Sequence, residues 1–267
     1  MNQAGQVRAS AVGRLRAAGC VFAEDEADLL IAAAGTPGEL DDMVQRRTSG
    51  VPLEVVVGWA EFCGLRIAVR PGVFVPRRRS EFLVGEAIAT ARRLAPAGPW
   101  LVADLCCGSG AVGVAVAAGL RPVGQVELHA ADIEPAAVAC ARDNVAAVGG
   151  TVYQGDLFDP LPATLCGRID VLVVNAPYVP TSEIAMMPPE ARLHEPRTAL
   201  DGGPDGVAIH RRVAAAAPDW LAPGGSLLLE TSERQAPETA AAMTAAGLTA
   251  VVSADDELDA TAVIGTC

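Results

Sequence analysis

The spacing of apolar positions along the chain changes twice. Val7, Ala11, Leu15 and Ala18 recur at helical intervals up to Gly19, and Ala27, Leu30, Ile31 and Ala34 repeat the pattern up to Gly35. Thr36-Pro37-Gly38-Glu39 has the form of a capping box with proline at the first helical position. A third helix is therefore expected, with Leu40, Met43 and Val44 on its core face and Gly50 closing it. Few large side chains serve these three helices, so their core is thin and leans on the rest of the chain. Residues 53–57 and 65–69 then read as strand-like runs around Gly58 and Gly64, and with the Arg70-Pro71-Gly72 turn they predict a β-hairpin connector. Ser80 is placed to cap a helix with Leu83, Ala87, Ala91 and Leu94 on one face, broken by Pro96, Gly98 and Pro99.

From Trp100 the period alternates between strand and helix. Strands are expected at 101–105, 126–133, 151–153, 169–175 and 226–231, with helices at 114–118, 135–148, 206–217 and 237–246 between or after them. Such alternation predicts an α/β fold with a parallel, doubly covered sheet and right-handed crossovers. Two last short strands, 249–253 and 260–265, joined by an acidic loop, are expected to add an antiparallel edge.

Hydrophobic content of 51% without an uncharged apolar run of about 18 residues predicts a globular rather than a membrane protein. Residues 1–10 are polar and lack an apolar stretch, which argues against a secretory signal and for the cytoplasm. Seven cysteines, none in a CxxC pair and none clustered with histidine, give no metal spacing; Cys106 and Cys107 read as small apolar filler in a tight turn. The net charge is −12 and every basic residue is an arginine. That acidity argues against a grip on nucleic-acid phosphates, and the short arginine runs at 46–47, 77–79, 92–93 and 211–212 read as solvated faces.

Chemistry concentrates at strand ends. The 169–175 strand stops at Asn175-Ala176-Pro177-Tyr178. An asparagine side-chain oxygen and the next backbone carbonyl can accept both hydrogens of one planar NH₂ group, and an aromatic ring two residues on can stack on whatever carries it. Asp104-Leu105-Cys106-Cys107-Gly108-Ser109-Gly110 lies between the first strand of the sheet and its helix, and with Gly113 it satisfies G-x-G-x-x-G. Asp132, followed by Ile133, comes about 20 residues later at the next strand end, where a carboxylate takes ribose hydroxyls. That spacing alone does not separate a dinucleotide from S-adenosylmethionine. Asp104 stands where a pyrophosphate would sit, which suits a cationic methionine moiety better, and Asp156-Leu157 offers an acid for an adenine amino group beside an apolar cover.

Together, these motifs resemble a class I S-adenosylmethionine-dependent methyltransferase acting on a planar NH₂ nitrogen. Arg46-Arg47-Thr48-Ser49-Gly50-Val51-Pro52-Leu53, Glu61-Phe62-Cys63-Gly64-Leu65, Pro76-Arg77 with Ser80-Glu81, and Glu195-Pro196-Arg197 with 199–203 narrow the resemblance to the protein N5-glutamine methyltransferases that modify peptide chain release factors. The resemblance implies a Rossmann-like seven-stranded sheet at 77–267, a small helical substrate-recognition domain at 1–52 and a β-hairpin connector at 53–76. It implies S-adenosylmethionine as cofactor, held by Asp104, Cys106, Cys107, Gly108, Ser109, Gly110, Asp132, Ile133, Asp156, Leu157 and Asn175. Asn175, Ala176, Pro177 and Tyr178 would hold the glutamine amide of a class 1 release factor, with no direct nucleic-acid grip and no membrane. Neither His129, His194 nor His210 takes a motif role, although His194 adjoins the Glu195-Pro196-Arg197 loop. The chain departs from the family in Ala176 where proline is usual, in Arg78-Arg79-Ser80-Glu81 for Pro-Asp-Thr-Glu, in Cys106 for a loop glycine, and in a short N-terminal segment. An amino-methyltransferase for a nucleic-acid base, or one for a specialised metabolite or peptide, is the alternative reading.

Overall fold

The computed structural model describes residues 3–95 and 97–267. Met1 and Asn2 of the polar N-terminus, and the helix-breaking role given to Pro96, lie outside them.

Four helices open the chain: α1 (Gln3–Ala17), α2 (Ala23–Ala33), α3 (Pro37–Thr48) and α4 (Leu53–Val57). The capping box at α3 forms as expected, with Thr36 Oγ1 accepting from the Glu39 N–H and Glu39 Oε2 accepting from the Thr36 N–H, both at 3.2 Å. Leu15, Leu30, Val44 and Val56 close a small apolar cluster built from these helices and the turns between them. The strand expected at 53–57 is instead α4. Pro52 starts it, and Gly58, at φ 83°, ends it by returning its N–H to the Glu54 carbonyl. That one helical turn buries the consecutive Val55 and Val56 in two different clusters.

The hairpin lies one step later, as β1 (Trp59–Phe62) against β2 (Leu65–Ala68). Cys63 and Gly64 form its turn, both left-handed at φ 50° and 70°, as a two-residue turn matched to strand twist requires. The Cys63 N–H donates to Glu81 Oε1, tying the hairpin to α5 (Ser80–Leu94). Ser80 does not cap α5: it is the first helical residue, Arg79 holds the cap position without a side-chain bond, and the Ser80 hydroxyl is engaged elsewhere. Leu94, expected on the core face, stays exposed.

The rest builds one sheet: β3 (Trp100–Leu105), α6 (Ala111–Leu120), β4 (Val126–Asp132), α7 (Pro135–Ala146), β5 (Thr151–Gln154) and β6 (Ile169–Val174) come first. Then follow α8 (Pro189–His194), α9 (Ala208–Trp220), β7 (Leu221–Thr231), α10 (Ala236–Ala245), β8 (Thr249–Asp255) and β9 (Ala260–Thr266). The strand order is β5-β4-β3-β6-β7-β9-β8, parallel except for β9. The antiparallel strand is therefore not at the edge: β9 inserts between β7 and β8. Leu83, Ala87, Val116 and Leu128 pack one face of the sheet, and Val213, Ala217, Leu227 and Met243 the other. Chain order reverses between β3 and β6, and open α/β sheets place their ligand crevice outside the strand ends at such a point. Among the described residues no helix is long and apolar enough to cross a membrane, and no group of His, Cys, Asp or Glu is placed to hold a metal ion.

Candidate active site

One cleft of about 730 Å³ opens at that reversal and is lined by both sets of residues named from the sequence, except Gly110. On one side the turn after β3 runs through Cys106, Gly108 and Gly110, all left-handed at φ 55°, 55° and 79°. Cys106 occupies the conformation that glycine takes without strain, which accounts for a glycine being usual there. The turn is held from three sides. Asp132 Oδ2 accepts from the Gly108 N–H at 2.8 Å while its Oδ1 accepts from the Glu134 N–H at 2.9 Å. Asp104 Oδ2 accepts from the Gly113 N–H at 2.8 Å. Asn144 on α7 donates to the Ser109 carbonyl and also bonds Ala68, so hairpin and glycine turn share one clamp.

Burial dominates the electrostatics here. It pushes the Asp104 carboxyl up to about 7, against the Gly113 N–H that favours its charge and with the nearby Asp132 adding to the rise. Burial raises Asp132 too, opposed by the Glu134 and Gly108 N–H groups. The Cys106 and Cys107 thiols are driven well above their ordinary value by burial and by these acids, so they are inert filler. Ile133 is exposed and Leu157 lines the cleft, giving apolar walls near the two acids. Asp156, the acid expected for an adenine amino group, lines the cleft with its Oδ2 held by Arg212 of α9 at 2.6 Å, so that arginine is not the solvated charge its short run suggests.

This side suits S-adenosylmethionine on its donor set. A buried carboxylate at the end of β3 calls for a cation, which an ammonium supplies. Each Asp132 oxygen keeps a second lone pair for a ribose hydroxyl after accepting its backbone N–H. Flat apolar walls at Ile133 and Leu157 match an adenine ring.

On the other side, β6 delivers Asn175, Ala176, Pro177 and Tyr178. Asn175 Nδ2 donates to Ser80 Oγ at 3.1 Å. Neither Asn175 Oδ1 nor the Ala176 carbonyl is engaged by a donor among the described residues, so two acceptors are left in the cleft wall. The Tyr178 hydroxyl donates to Glu230 Oε1 at 3.2 Å, and the Arg79 guanidinium lies 5.7 Å from the Tyr178 ring centre. Gly202 packs against the Pro177–Tyr178 backbone, and Gln235 Nε2 donates to the carbonyls of Tyr178 and Asp205 at 2.9 and 3.0 Å. Glu195 is buried and accepts from Arg77 and from the Val75 N–H, fixing the Glu195-Pro196-Arg197 loop to the segment that leads into α5. His194 faces Gly50 instead, and Arg47 pairs with Glu26 and Glu190, so it too is no solvated charge.

Glu230 and Gln235 were missed from the sequence. Glu230 carried one usable signal, a charge closing an apolar run at a strand end.

Residues 66–203 match the model of the methyltransferase small domain. A release factor glutamine methyltransferase of Geobacter sulfurreducens is 38% identical over 196 residues, 73% of this chain and 65% of that protein, so the match spans about two thirds of the relative's length. One of Moorella thermoacetica is 37% identical over 80% of this chain and 73% of the relative. A 4-amino-L-phenylalanine/4-methylamino-L-phenylalanine methyltransferase of Streptomyces pristinaespiralis is 35% identical over 89% of this chain and 86% of its own.

Proposed function

Because this chain belongs to the release factor glutamine methyltransferase family, we propose that it transfers a methyl group from S-adenosylmethionine to the side-chain nitrogen of a protein glutamine. The substrate we assign is the Gly-Gly-Gln motif of a class 1 peptide chain release factor. The observation that carries this reading is the pair of unengaged acceptors, Asn175 Oδ1 and the Ala176 carbonyl, in the same cleft as the acid-lined glycine turn.

When bound, S-adenosylmethionine supplies an electrophilic methyl on its sulfonium. Asp104 would hold its ammonium, Asp132 its ribose hydroxyls, and Ile133 and Leu157 the faces of its adenine. An amide nitrogen is a poor nucleophile because its lone pair is delocalised into the carbonyl. Asn175 and Ala176 take both amide hydrogens, which orients the nitrogen and leaves the lone pair as its open face. Such orientation can lower a barrier by roughly 7–11 kcal/mol. The glutamine nitrogen needs no strong base beforehand, since its proton becomes acidic once it is alkylated. Ala176 in place of proline keeps the carbonyl, the only group this role uses. The work is that of a cytoplasmic enzyme whose partner is a protein; a net charge of −12 gives no general grip on nucleic acid.

Labelled methyl transfer to purified release factor, beside its Gln→Ala variant, tests the reading. Label on the intact motif alone supports it; no label, with cofactor binding confirmed, overturns the substrate assignment. A second reading, a small aromatic amine as acceptor, is favoured by the broader match to the Streptomyces pristinaespiralis protein and by Arg79 at the cleft wall. Adding 4-amino-L-phenylalanine to the same assay decides between them.

A further inference from the structure

Glu230 has no part in the reading above, yet it stands at the centre of the corner that holds the amide. It is the second-last residue of β7, the strand next to the one that delivers Asn175, and is only 3% exposed. Its Oε1 accepts from the Tyr178 hydroxyl at 3.2 Å and lies 3.7 Å from Arg79 Nε. Ser80 and Asn175 both stand close enough to favour the charge of this carboxyl, while among the described residues Oε2 keeps no hydrogen-bond partner. Ser80 Oγ, in turn, receives Asn175 Nδ2.

This chain has a polarity. The two ends of an asparagine amide are nearly isosteric, so packing alone does not decide which one faces the cleft. Serine does not decide it either, because its hydroxyl both donates and accepts. A carboxylate accepts only. If it takes the Ser80 proton, Ser80 can offer Asn175 nothing but a lone pair, and the lone pair selects Nδ2. Oδ1 then has to point away, into the cleft. We propose that Glu230 is a positioning residue that sets the orientation of the Asn175 amide, directly and through Ser80, and fixes the Tyr178 ring through its hydroxyl. The inference rests on the role given above to Asn175.

The chain has three asparagines, at positions 2, 144 and 175, so asparagine-selective ¹⁵N labelling yields three side-chain NH₂ pairs, and Asn175→Ala identifies the one at the site. Glu230→Gln puts a donor where the carboxylate had none. The Asn175 pair should shift or broaden, and kcat on release factor should fall about 100-fold, the scale of a small misplacement at the reacting centre. Affinity for S-adenosylmethionine should stay within about twofold, since the change lies outside the acids assigned to the cofactor. Ser80→Ala should reproduce these effects in part, Ser80→Thr should largely avoid them, and the Ser80→Ala/Glu230→Gln double variant should be no slower than the worse single one. An unmoved Asn175 pair in Glu230→Gln overturns the inference, as does a parallel loss of cofactor affinity and melting temperature that marks a merely structural residue. Should Glu230→Gln not fold, Ser80→Ala and Ser80→Thr carry the test. Should the wild type label no release factor, the substrate assignment falls, and the asparagine signals still decide the role of Glu230.

Discussion

Gly202 and Tyr178 meet backbone to backbone: a Cβ on Gly202 would stand 2.7 Å from the Tyr178 Cα and 2.5 Å from the Gly206 carbonyl oxygen. Neither neighbour is the movable end of a side chain. The contact is supported by the Gly202 N–H, which donates to the Val179 carbonyl at 2.9 Å, and by the Val179 N–H, which donates to Leu200. Gly202→Ala should therefore displace the loop that carries Tyr178, destabilising the fold by about 1–3 kcal/mol, as overpacking does. It should raise the KM for the methyl acceptor while leaving the cofactor dissociation constant nearly unchanged. Thermal denaturation and calorimetry check both, and normal kinetics would show that the 199–203 loop does not position the site.

Asn175→Ala removes one of the two acceptors and empties the place where the amide is held. Turnover should fall to background, while calorimetry still detects binding of S-adenosylmethionine, because the acids assigned to the cofactor stand on β3 and β4. Near-normal turnover would remove Asn175 from the site.

Most of the sheet was legible because its signals are local: apolar runs of strand length, proline at helix starts, and acids where those runs end. The glycine turn and Asn175-Ala176-Pro177-Tyr178 were legible for the same reason, each being a contiguous motif. What stayed hidden depends on pairing across the chain. Leu53-Glu54-Val55-Val56-Val57 has strand-like side chains, but Pro52 and the left-handed Gly58 enclose a single helical turn. Ser80 looks like a cap, and only the fold reveals that its hydroxyl meets an asparagine 95 residues away. Likewise, no local pattern announces that Gln235 reaches Tyr178, or that Arg212 of a later helix takes Asp156.

Asp132 serves the glycine turn before any ligand arrives, with one oxygen on Gly108 and the other on Glu134. Asp132→Ala should thus lower both cofactor affinity and melting temperature, since each hydrogen bond to a charged group contributes roughly 1.5–3 kcal/mol. Asp132→Asn, which keeps one oxygen acceptor, should fall between the two. An unchanged dissociation constant in Asp132→Ala would place the ribose elsewhere.

His210 gives a stability test that is independent of catalysis. It is fully buried on α9 with Nδ1 against Thr239 Oγ1 at 2.9 Å, its Nε2 has no hydrogen-bond partner among the described residues, and burial depresses its pKa from 6.5 to about 4. Between those values the unfolded chain binds a proton that the native one refuses, so this group makes stability fall as the pH drops from about 6.5 towards 4. Denaturant titrations across that range should show the slope, and His210→Gln should flatten it.

Asp104 titrates in the opposite sense and near neutrality, which exposes its role directly. In the free enzyme burial holds the carboxyl at about 7, so below that pH it is mostly neutral and offers an ammonium no charge. Holding the cofactor's ammonium requires the ionised form, and protons therefore compete with binding. Affinity for S-adenosylmethionine should rise about tenfold per pH unit on the acid side and level off near 7, with one proton released per molecule bound at low pH. Calorimetry between about pH 5.5 and 7.5, in two buffers of different ionisation enthalpy, reads both quantities. Asp104→Asn retains an acceptor for the Gly113 N–H but cannot ionise, so it should bind weakly and without this pH dependence. A wild-type affinity that stays flat across the range would mean that the ammonium is held by another group and that Asp104 serves only to fix the start of α6.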